Sequence, residues 1–404
     1  MHQPDASWLG GDAPGAPGAP APAAAGVIVA AGRSSRMGGR DKLDAALGGR
    51  SVLRRAIESM AAASSVRQLV LVTAPERVAD LASTPWVRSL GCSVVPGGLR
   101  RQDSVAAGVA ATDAELLLIH DGARPLVSAE LVDRVAAAAA QHGAAVPVVP
   151  VVETLKRVTG GLLSGTVSRD DLYRAQTPQG VRREILIAAY RVRDPAAPET
   201  YTDEAALLEA HGVSVAVVPG DVQNLKITSP ADLALAQALV RARSGPTRVG
   251  HGTDVHSFGP EDGLCLGGIA IPEAPRLAGH SDGDVCLHAL ADALLGAAGL
   301  PDLGRLFPAG EPGTRGIASS ELVAQVVERL AEQGWWPVSA DLTIVGARPR
   351  LGPARLEQMR AAIAQLLSLD PGAIGMKAST GNLSGDEGAG RAISALAIAS
   401  VARS

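Results

Sequence analysis

Three groups of residues in this sequence have types and spacings that can do chemistry. The first is Val27-Ile-Val-Ala-Ala-Gly-Arg-Ser-Ser-Arg-Met-Gly-Gly-Arg-Asp-Lys42, an apolar run opening into small residues with three arginines, Arg36 among them, and a lysine. Glycine and serine let backbone N–H groups approach phosphate oxygens, and the fixed cations supply the charge a triphosphate requires. The run is neither G-x-G-x-x-G nor a Walker sequence, since no GK[ST] ending follows. A turn carrying solvated arginines has the same composition. The second group is Leu116-Leu-Leu-Ile-His-Asp-Gly-Ala-Arg-Pro125, where Asp121 stands just past another apolar run. At a strand's carboxyl end a carboxylate can hold Mg2+ on a nucleotide, or it can cap a turn. The third group is Asp254 and His256, two apart and so on one face of a strand, with His288 beside the apolar helical face of Leu287, Leu290, Ala291 and Leu294. One carboxylate and two imidazoles suit Zn2+ or another divalent metal, with a fourth position open for a substrate oxygen. A lone histidine is more often structural.

The apolar pattern supplies the strands and helices around these groups. Val27–Ala30, Gln68–Val72, Leu116–Ile119 and Ala145–Val149 read as buried strands, separated by helical stretches such as Ser51–Ala63 and Ser128–Gln141. Such alternation predicts an α/β domain with a mostly parallel, Rossmann-like sheet. Helix Ser229–Arg243 is followed by Ser244-Gly245-Pro246, so the expected domains are 26–243 and 248–404, with 244–247 as linker. The second reads as a smaller α+β domain: strands 248–257, 264–271, 339–346 and 374–379, and helices 284–299, 319–333, 353–367 and 389–402. Residues 1–25, with Ala13-Pro-Gly-Ala-Pro-Gly-Ala-Pro-Ala-Pro, read as a disordered tail.

Composition narrows the class. The chain has 404 residues, 47% hydrophobic and 19% charged, with a net charge of −4, which describes a globular protein without an electrostatic handle for nucleic acid or anionic lipid. Aromatics at 2% disfavour base-stacking surfaces. Three cysteines with no C-x-x-C indicate neither a disulfide framework nor a thiolate zinc site. With no membrane span and no secretory signal in the sequence, the expected address is the cytoplasm.

Residues 26–243 resemble 2-C-methyl-D-erythritol 4-phosphate cytidylyltransferase. The resemblance rests on Ala30-Ala-Gly-Arg-Ser-Ser-Arg-Met-Gly with Lys42, Arg101-Gln-Asp-Ser-Val, His120-Asp-Gly-Ala-Arg-Pro, Thr177-Pro-Gln, Thr202-Asp-Glu-Ala and Asn224-Leu-Lys-Ile-Thr, in that order. It implies that CTP and methylerythritol 4-phosphate give a cytidine diphosphate alcohol and pyrophosphate, with Mg2+ or Mn2+ near Asp121. Arg36 and Lys42 would stabilise the transferring group. Ala30, Ala31, Gly32, Gly98 and Ser104 match nucleotide-holding positions. Arg169 and Lys226 match the cations that position methylerythritol phosphate, Arg169 from an arm around 152–175 reaching across a dimer. Thr154, Thr177 and Thr202 sit where hydroxyls would help. Leu99 departs from the pattern, standing where the family often has an acidic residue.

From Arg248 nearly to the end the chain resembles 2-C-methyl-D-erythritol 2,4-cyclodiphosphate synthase, through His251-Gly-Thr-Asp-Val-His-Ser-Phe, Gly279-His-Ser-Asp-Gly-Asp-Val, His288-Ala-Leu-Ala-Asp-Ala-Leu-Leu-Gly-Ala and Asp302-Leu-Gly-Arg-Leu-Phe-Pro. The resemblance makes Asp254, His256 and His288 zinc ligands and places His280 and Ser281 at the reacting phosphates. Asp302, Leu303, Gly304 and Phe307 match the methylerythritol pocket, and His280 and Thr380 match positions that stabilise the transition state. The loop Gly346–Gly352 with Ser379 and Thr380 would read cytosine, in sites shared within a trimer. A second cation, Mg2+ or Mn2+, would bridge the diphosphate. Asn382 replaces a common acidic residue, and Gly388-Ala-Gly-Arg391-Ala replaces a Gly-Arg-Gly-Glu-Gly stretch. The expected protein is therefore a bifunctional isoprenoid-precursor enzyme, a homo-oligomer with dimeric and trimeric contacts, served by a separate kinase for the step between. The altered 382–391 loop keeps open another reading, a cytidylyltransferase whose second half is a metal-stabilised trimerisation module.

Overall fold

The computed structural model describes residues 23–32, 41–243, 245, 247–279, 281–308 and 317–403. Arg36, His280 and residues 1–22 of the expected tail lie outside that set. The chain forms two compact units, one holding Ser51–Gln237 with the chain up to Leu47, the other Ala238–Ser404 with Gly48–Arg50.

In the first unit, β-branched residues favour extended backbone. Strands Ala24–Ala30, Val66–Thr73 and Leu116–Asp121 run parallel, with Val27 between Val70 and Ile119. Ser93–Pro96 extends one side, also parallel. On the other side Gln179–Arg182 is inserted antiparallel between Leu116–Asp121 and Ala144–Pro150. Every residue of Leu116–Asp121 is buried, as a strand covered on both faces requires. Helix Val52–Ala61 starts where Ser51 Oγ accepts the Arg54 N–H at 3.1 Å, and helix Ala129–His142 where Ser128 Oγ accepts the Leu131 N–H at 3.2 Å. The first strand takes in two residues that composition groups with the tail. Ala24 and Ala25 are buried between Val66–Thr73 and Leu116–Asp121, and so small a side chain gives no apolar signal in sequence. Strands Leu155–Thr159 and Leu162–Val167 pair as a hairpin apart from the main sheet.

The second unit is a five-stranded sheet in the order Ile269–Leu277, Arg248–Leu266, Ala392–Arg403, Trp335–Val345, Ile374–Ser379, antiparallel except for the last pair. Helix Val285–Ala298 packs on it, and its residues form the centre of the core. Two expected elements differ. The stretch 264–271 is not one strand but the turn of a hairpin, because Gly267 and Gly268 adopt positive φ of 62° and 79°. Residues 389–402 do not form a helix; Ala392–Arg403 is a strand. Its Ile393, Ala395, Ala397, Ala399 and Val401 are buried while Leu396 and Ile398 are exposed, a period of two. Hydrogen bonds along both edges, to Arg248–Leu266 and Trp335–Val345, outweigh the helical preference of alanine, which is worth only tenths of a kcal/mol per residue. Among the described residues no helix is long and apolar enough to cross a membrane.

Candidate active sites

At the carboxyl ends of Ala24–Ala30 and Leu116–Asp121 lies a cavity of about 170 Å³. Ala30, Ala31, Gly32, Lys42, Gly98, Ser104, Asp121 and Lys226 all line it. Gly98 has no room for a side chain: a Cβ there would meet that of Asp103 at 2.3 Å. The loop can thus fold onto helix Arg101–Ala110, where Ser104 Oγ accepts the Gly98 N–H at 3.1 Å. Leu99 stands fully exposed at the mouth.

Asp121 is the electrostatic centre. Its carboxylate lies 2.8 Å from Lys226 Nζ, 3.3 Å from Arg101 Nε and 3.9 Å from Arg124 Nε. Burial alone would raise its pKa, but Arg101, Lys226 and Arg124 outweigh burial and hold the carboxyl well below the usual range. Both oxygens face side-chain cations, so this residue does not fit as a direct ligand of Mg2+; a divalent ion arriving with the triphosphate would bind through phosphate oxygens.

The motifs that look unrelated in sequence are knitted together here. Ile227 N–H donates to Ala123 O at 2.8 Å, and Arg124 Nη1 donates to Asn224 O at 2.6 Å, which fixes the loop carrying Lys226. Asn224 Nδ2 donates to Thr177 O at 2.8 Å. Thr177 is buried behind Asp121 rather than lining the cavity: its Oγ1 accepts the Asp121 N–H at 3.0 Å and lies 3.1 Å from His120 Nδ1. His120 Nε2 donates to Arg124 O at 3.0 Å, and full burial pushes the imidazole pKa down to about 4.

Arg101 is a lining residue that sequence reasoning left unassigned, although it heads a motif. Its guanidinium makes a two-pronged pair with buried Glu204, at 2.7 and 2.9 Å. Neither Glu204 nor Thr202 lines the cavity, but Glu204 is the part of Thr202-Asp-Glu-Ala that supports its wall, from behind Arg101, while Thr202 is exposed. Thr154 and Arg169 are exposed in the arm segment, where Arg169 Nη1 donates to Val152 O, and neither lines the cavity.

In the second unit, glycines bring the ligand set together. A Cβ on Gly250 would meet Ala293 O at 2.1 Å, and one on Gly252 would meet Ala289 O at 2.1 Å. Their absence lets helix Val285–Ala298 press against the strand face that carries Asp254 and His256, and delivers His288 to them. Asp254 Oδ2 lies 3.0 Å from both His256 Nε2 and His288 Nδ1, and the donor atoms of the three side chains lie within 4.8 Å of one another. Burial would raise the Asp254 pKa, but the hydrogen bonds from His256 and His288 outweigh it and hold the carboxyl low. Two imidazole nitrogens aimed at one carboxylate oxygen fit a divalent metal. Ser281 Oγ contacts the far nitrogen of His288, Nε2, at 3.0 Å.

Asp302 caps the short helix Leu303–Leu306, and Leu303 N–H donates to Asp292 Oδ1 at 2.7 Å, one turn beyond His288. Gly304 is exposed and Phe307 packs partly into the core. Ser379 ends its strand, and Gly346 N–H donates to Ser379 O at 2.9 Å. Register places Asp254 opposite Ala395 and Val345 opposite Ser394, so the Gly346 loop leaves the sheet at the level of the Asp254 carboxylate. Thr380 and Asn382 are exposed, Asn382 at φ 52°, a left-handed position asparagine tolerates. Arg391 pairs with Asp386 at the surface.

The first unit has the architecture of a nucleotidyltransferase and the second that of a small metal-binding α+β domain. The first matches the family model described as 2-C-methyl-D-erythritol 4-phosphate cytidylyltransferase over residues 24–242, and the second matches the YgbB family over 247–402. The chain belongs to the bifunctional IspD/IspF enzymes, which join a nucleotidyltransferase to a lyase in the methylerythritol phosphate route to isoprenoids. It is 43% identical to the bifunctional enzyme IspD/IspF of Anaeromyxobacter dehalogenans, covering 93% of this chain and 97% of that one. It is also 43% identical to that of Desulforudis audaxviator, covering 93% and 96%. The solved bifunctional IspDF from Campylobacter jejuni is 26% identical over 95% of this chain and 99% of that one, with a TM-score of 0.46.

Proposed function

We propose that the first half joins CTP and 2-C-methyl-D-erythritol 4-phosphate, an oxygen of the substrate phosphate attacking the α-phosphorus and pyrophosphate leaving with the electrons of the broken P–O bond. The convergence of Lys42, Gly98, Ser104, Asp121 and Lys226 on one strand-end cavity carries this reading. Lys42 neutralises charge on the transferring phosphoryl group, with Arg36 assigned beside it from sequence. Lys226, steadied by Asp121, holds the attacking phosphate. Ala30, Ala31, Gly32 and Gly98 offer close backbone approach to the nucleotide.

The second half cyclises 4-diphosphocytidyl-2-C-methyl-D-erythritol 2-phosphate: the 2-phosphate oxygen attacks the β-phosphorus and CMP leaves. Asp254, His256 and His288 would hold a divalent metal, assigned as zinc, which would supply Lewis-acid polarisation of the β-phosphate; a second cation, Mg2+ or Mn2+, would supply screening of the diphosphate. His280 and Thr380 act on the transition state, Ser281 on the phosphates, and Asp302, Leu303, Gly304 and Phe307 on the methylerythritol portion. Ser379, Thr380, Asn382 and Arg391 frame the cytidine end.

Residues 244–247 link the two domains. The protein works in the cytoplasm as a homo-oligomer, and a separate kinase phosphorylates the intermediate between the two reactions. Association is supported by apolar side chains left in water: Leu162 and Leu163 in the hairpin are more than 70% exposed, and Val249, Val255, Leu396 and Ile398 share the outer face of the second sheet.

Product analysis tests the whole reading. The zinc-loaded chain with Mg2+ and the phosphorylated cytidylyl substrate should release CMP and the cyclic diphosphate in equal amounts. No CMP from a folded, metal-loaded chain would instead favour a trimerisation module in the second half.

A further inference from the structure

We infer that Asp282 and Ser319 select which ring nitrogen of His288 is free to take the metal, and so act as positioning residues for the second site. The inference rests on reading Asp254, His256 and His288 as ligands. Ser319, fully buried, opens helix Ser319–Glu332, and Asp282 meets it twice. The Ser319 N–H donates to Asp282 Oδ2 at 3.1 Å, and the Ser319 hydroxyl donates to Asp282 Oδ1. An ionised carboxylate only accepts, and a serine hydroxyl has one proton, which is committed to Asp282. Towards His288 Nε2, 3.0 Å away, Ser319 Oγ can therefore only accept. Ser281 Oγ, also 3.0 Å from Nε2, can donate or accept and leaves the choice open; Ser319 decides it.

With the Nε2 proton held by Ser319 Oγ, the proton that a metal would displace is the one on Nδ1, which the metal-free site directs at Asp254 Oδ2 at 3.0 Å, so the freed Nδ1 lone pair would face the centre of the ligand set. A hydrogen bond behind a ligating imidazole fixes both its tautomer and its orientation, and losing one typically costs tenfold to a hundredfold in metal affinity. Asp282 also accepts a helix N-terminal N–H, so a structural role must be separated from an effect on the imidazole.

Asp282→Asn separates them. With its oxygen towards the Ser319 N–H, the amide NH2 takes the place of Oδ1, which also accepts the Asp284 N–H at 3.3 Å, and becomes a donor to Ser319 Oγ. The freed hydroxyl proton then goes to His288 Nε2, and the ring proton is driven to Nδ1, where it blocks the metal. Zinc affinity is measured by competition with a chromophoric chelator on the full chain, and thermal unfolding is measured in EDTA. We expect zinc to bind at least tenfold more weakly while the metal-free unfolding midpoint holds. Equal affinity in parent and variant overturns the inference, whereas a parent that takes up no zinc overturns the ligand reading instead. If Asp282→Asn does not fold, Ser319→Ala carries the test: it keeps the backbone N–H on Asp282 and removes the acceptor. A several-fold loss of zinc affinity is then expected, and no loss overturns the inference.

Discussion

The ammonium of Lys226 lies 2.8 Å from Oδ2 of Asp121, and the loop that carries the lysine is tied by Arg124 and Ile227 to the same strand end that carries the aspartate. Asp121 thus sets where a cation lining the cavity stands. Asp121→Asn keeps the shape but removes the charge that balances Arg101, Arg124 and Lys226. Pyrophosphate release should fall by about 100-fold, the cost of misplacing a positioning group, while cyclisation is unaffected. A rate within threefold of the parent would contradict the role.

Lys42 lines the same cavity from the opposite loop. Lys42→Ala should lower cytidylyl transfer by roughly 100- to 1000-fold, the usual cost of one transition-state electrostatic contact, and leave CMP release by the second half intact. Equal loss of both activities would contradict independent sites.

His256→Ala removes one of the two imidazoles beside the Asp254 carboxylate, and with it one of the three side chains of the ligand set. Bound zinc, counted by mass spectrometry of the native chain, should drop along with cyclase turnover, and pyrophosphate release should not change. Parental zinc stoichiometry would take His256 out of the ligand set.

His120 gives a pH dependence with a definite sign. Burial holds it neutral, with its pKa near 4 against about 6.5 in the unfolded chain, so between those values the unfolded state binds the extra proton. Its contribution is full above pH 6.5 and is lost as pH falls towards 4, about 3 kcal/mol in all. The urea midpoint of the first half, followed by limited proteolysis, should fall through this window. His120→Asn should flatten that slope, and a variant as pH-sensitive as the parent would contradict the assignment.

Exposed Leu162, Leu163, Leu396 and Ile398 predict self-association through both units. Two-fold and three-fold contacts combined would close into a symmetric body of at least six chains. Sedimentation at working concentration should show a species far above one chain's 40.9 kDa. A monomer would contradict the reading, and Leu396→Asp with Ile398→Asp should reduce the assembly to the contacts of the first unit alone.

Local patterns carried much of the fold. Val27–Ala30 and Leu116–Ile119 announce buried strands by unbroken apolar residues, and Ser51 and Ser128 mark helix starts by a hydroxyl placed to accept an N–H. Ala392–Arg403 misled, because alanine alternating with larger apolar residues satisfies a helical composition, while the period of two becomes decisive only with two neighbouring strands to pair with. Glu204 and Arg101 were hidden for a related reason: each is an ordinary charged residue until the chain buries Glu204 against the Arg101 guanidinium.

The chemical inventory is legible in the linear chain: small residues and cations for phosphate, and a carboxylate two residues from an imidazole on one strand face. Those are properties of side-chain type and short covalent spacing, which folding does not alter. Which atoms meet is a matter of the fold. It brought Arg101 and Lys226 to the two oxygens of Asp121, put Thr177 behind that carboxylate, and pressed His288 onto Asp254 because Gly250 and Gly252 leave room for the helix. Hydrogen-bond direction and close packing between distant segments depend on where the backbone places each donor and acceptor, and no local spacing encodes that.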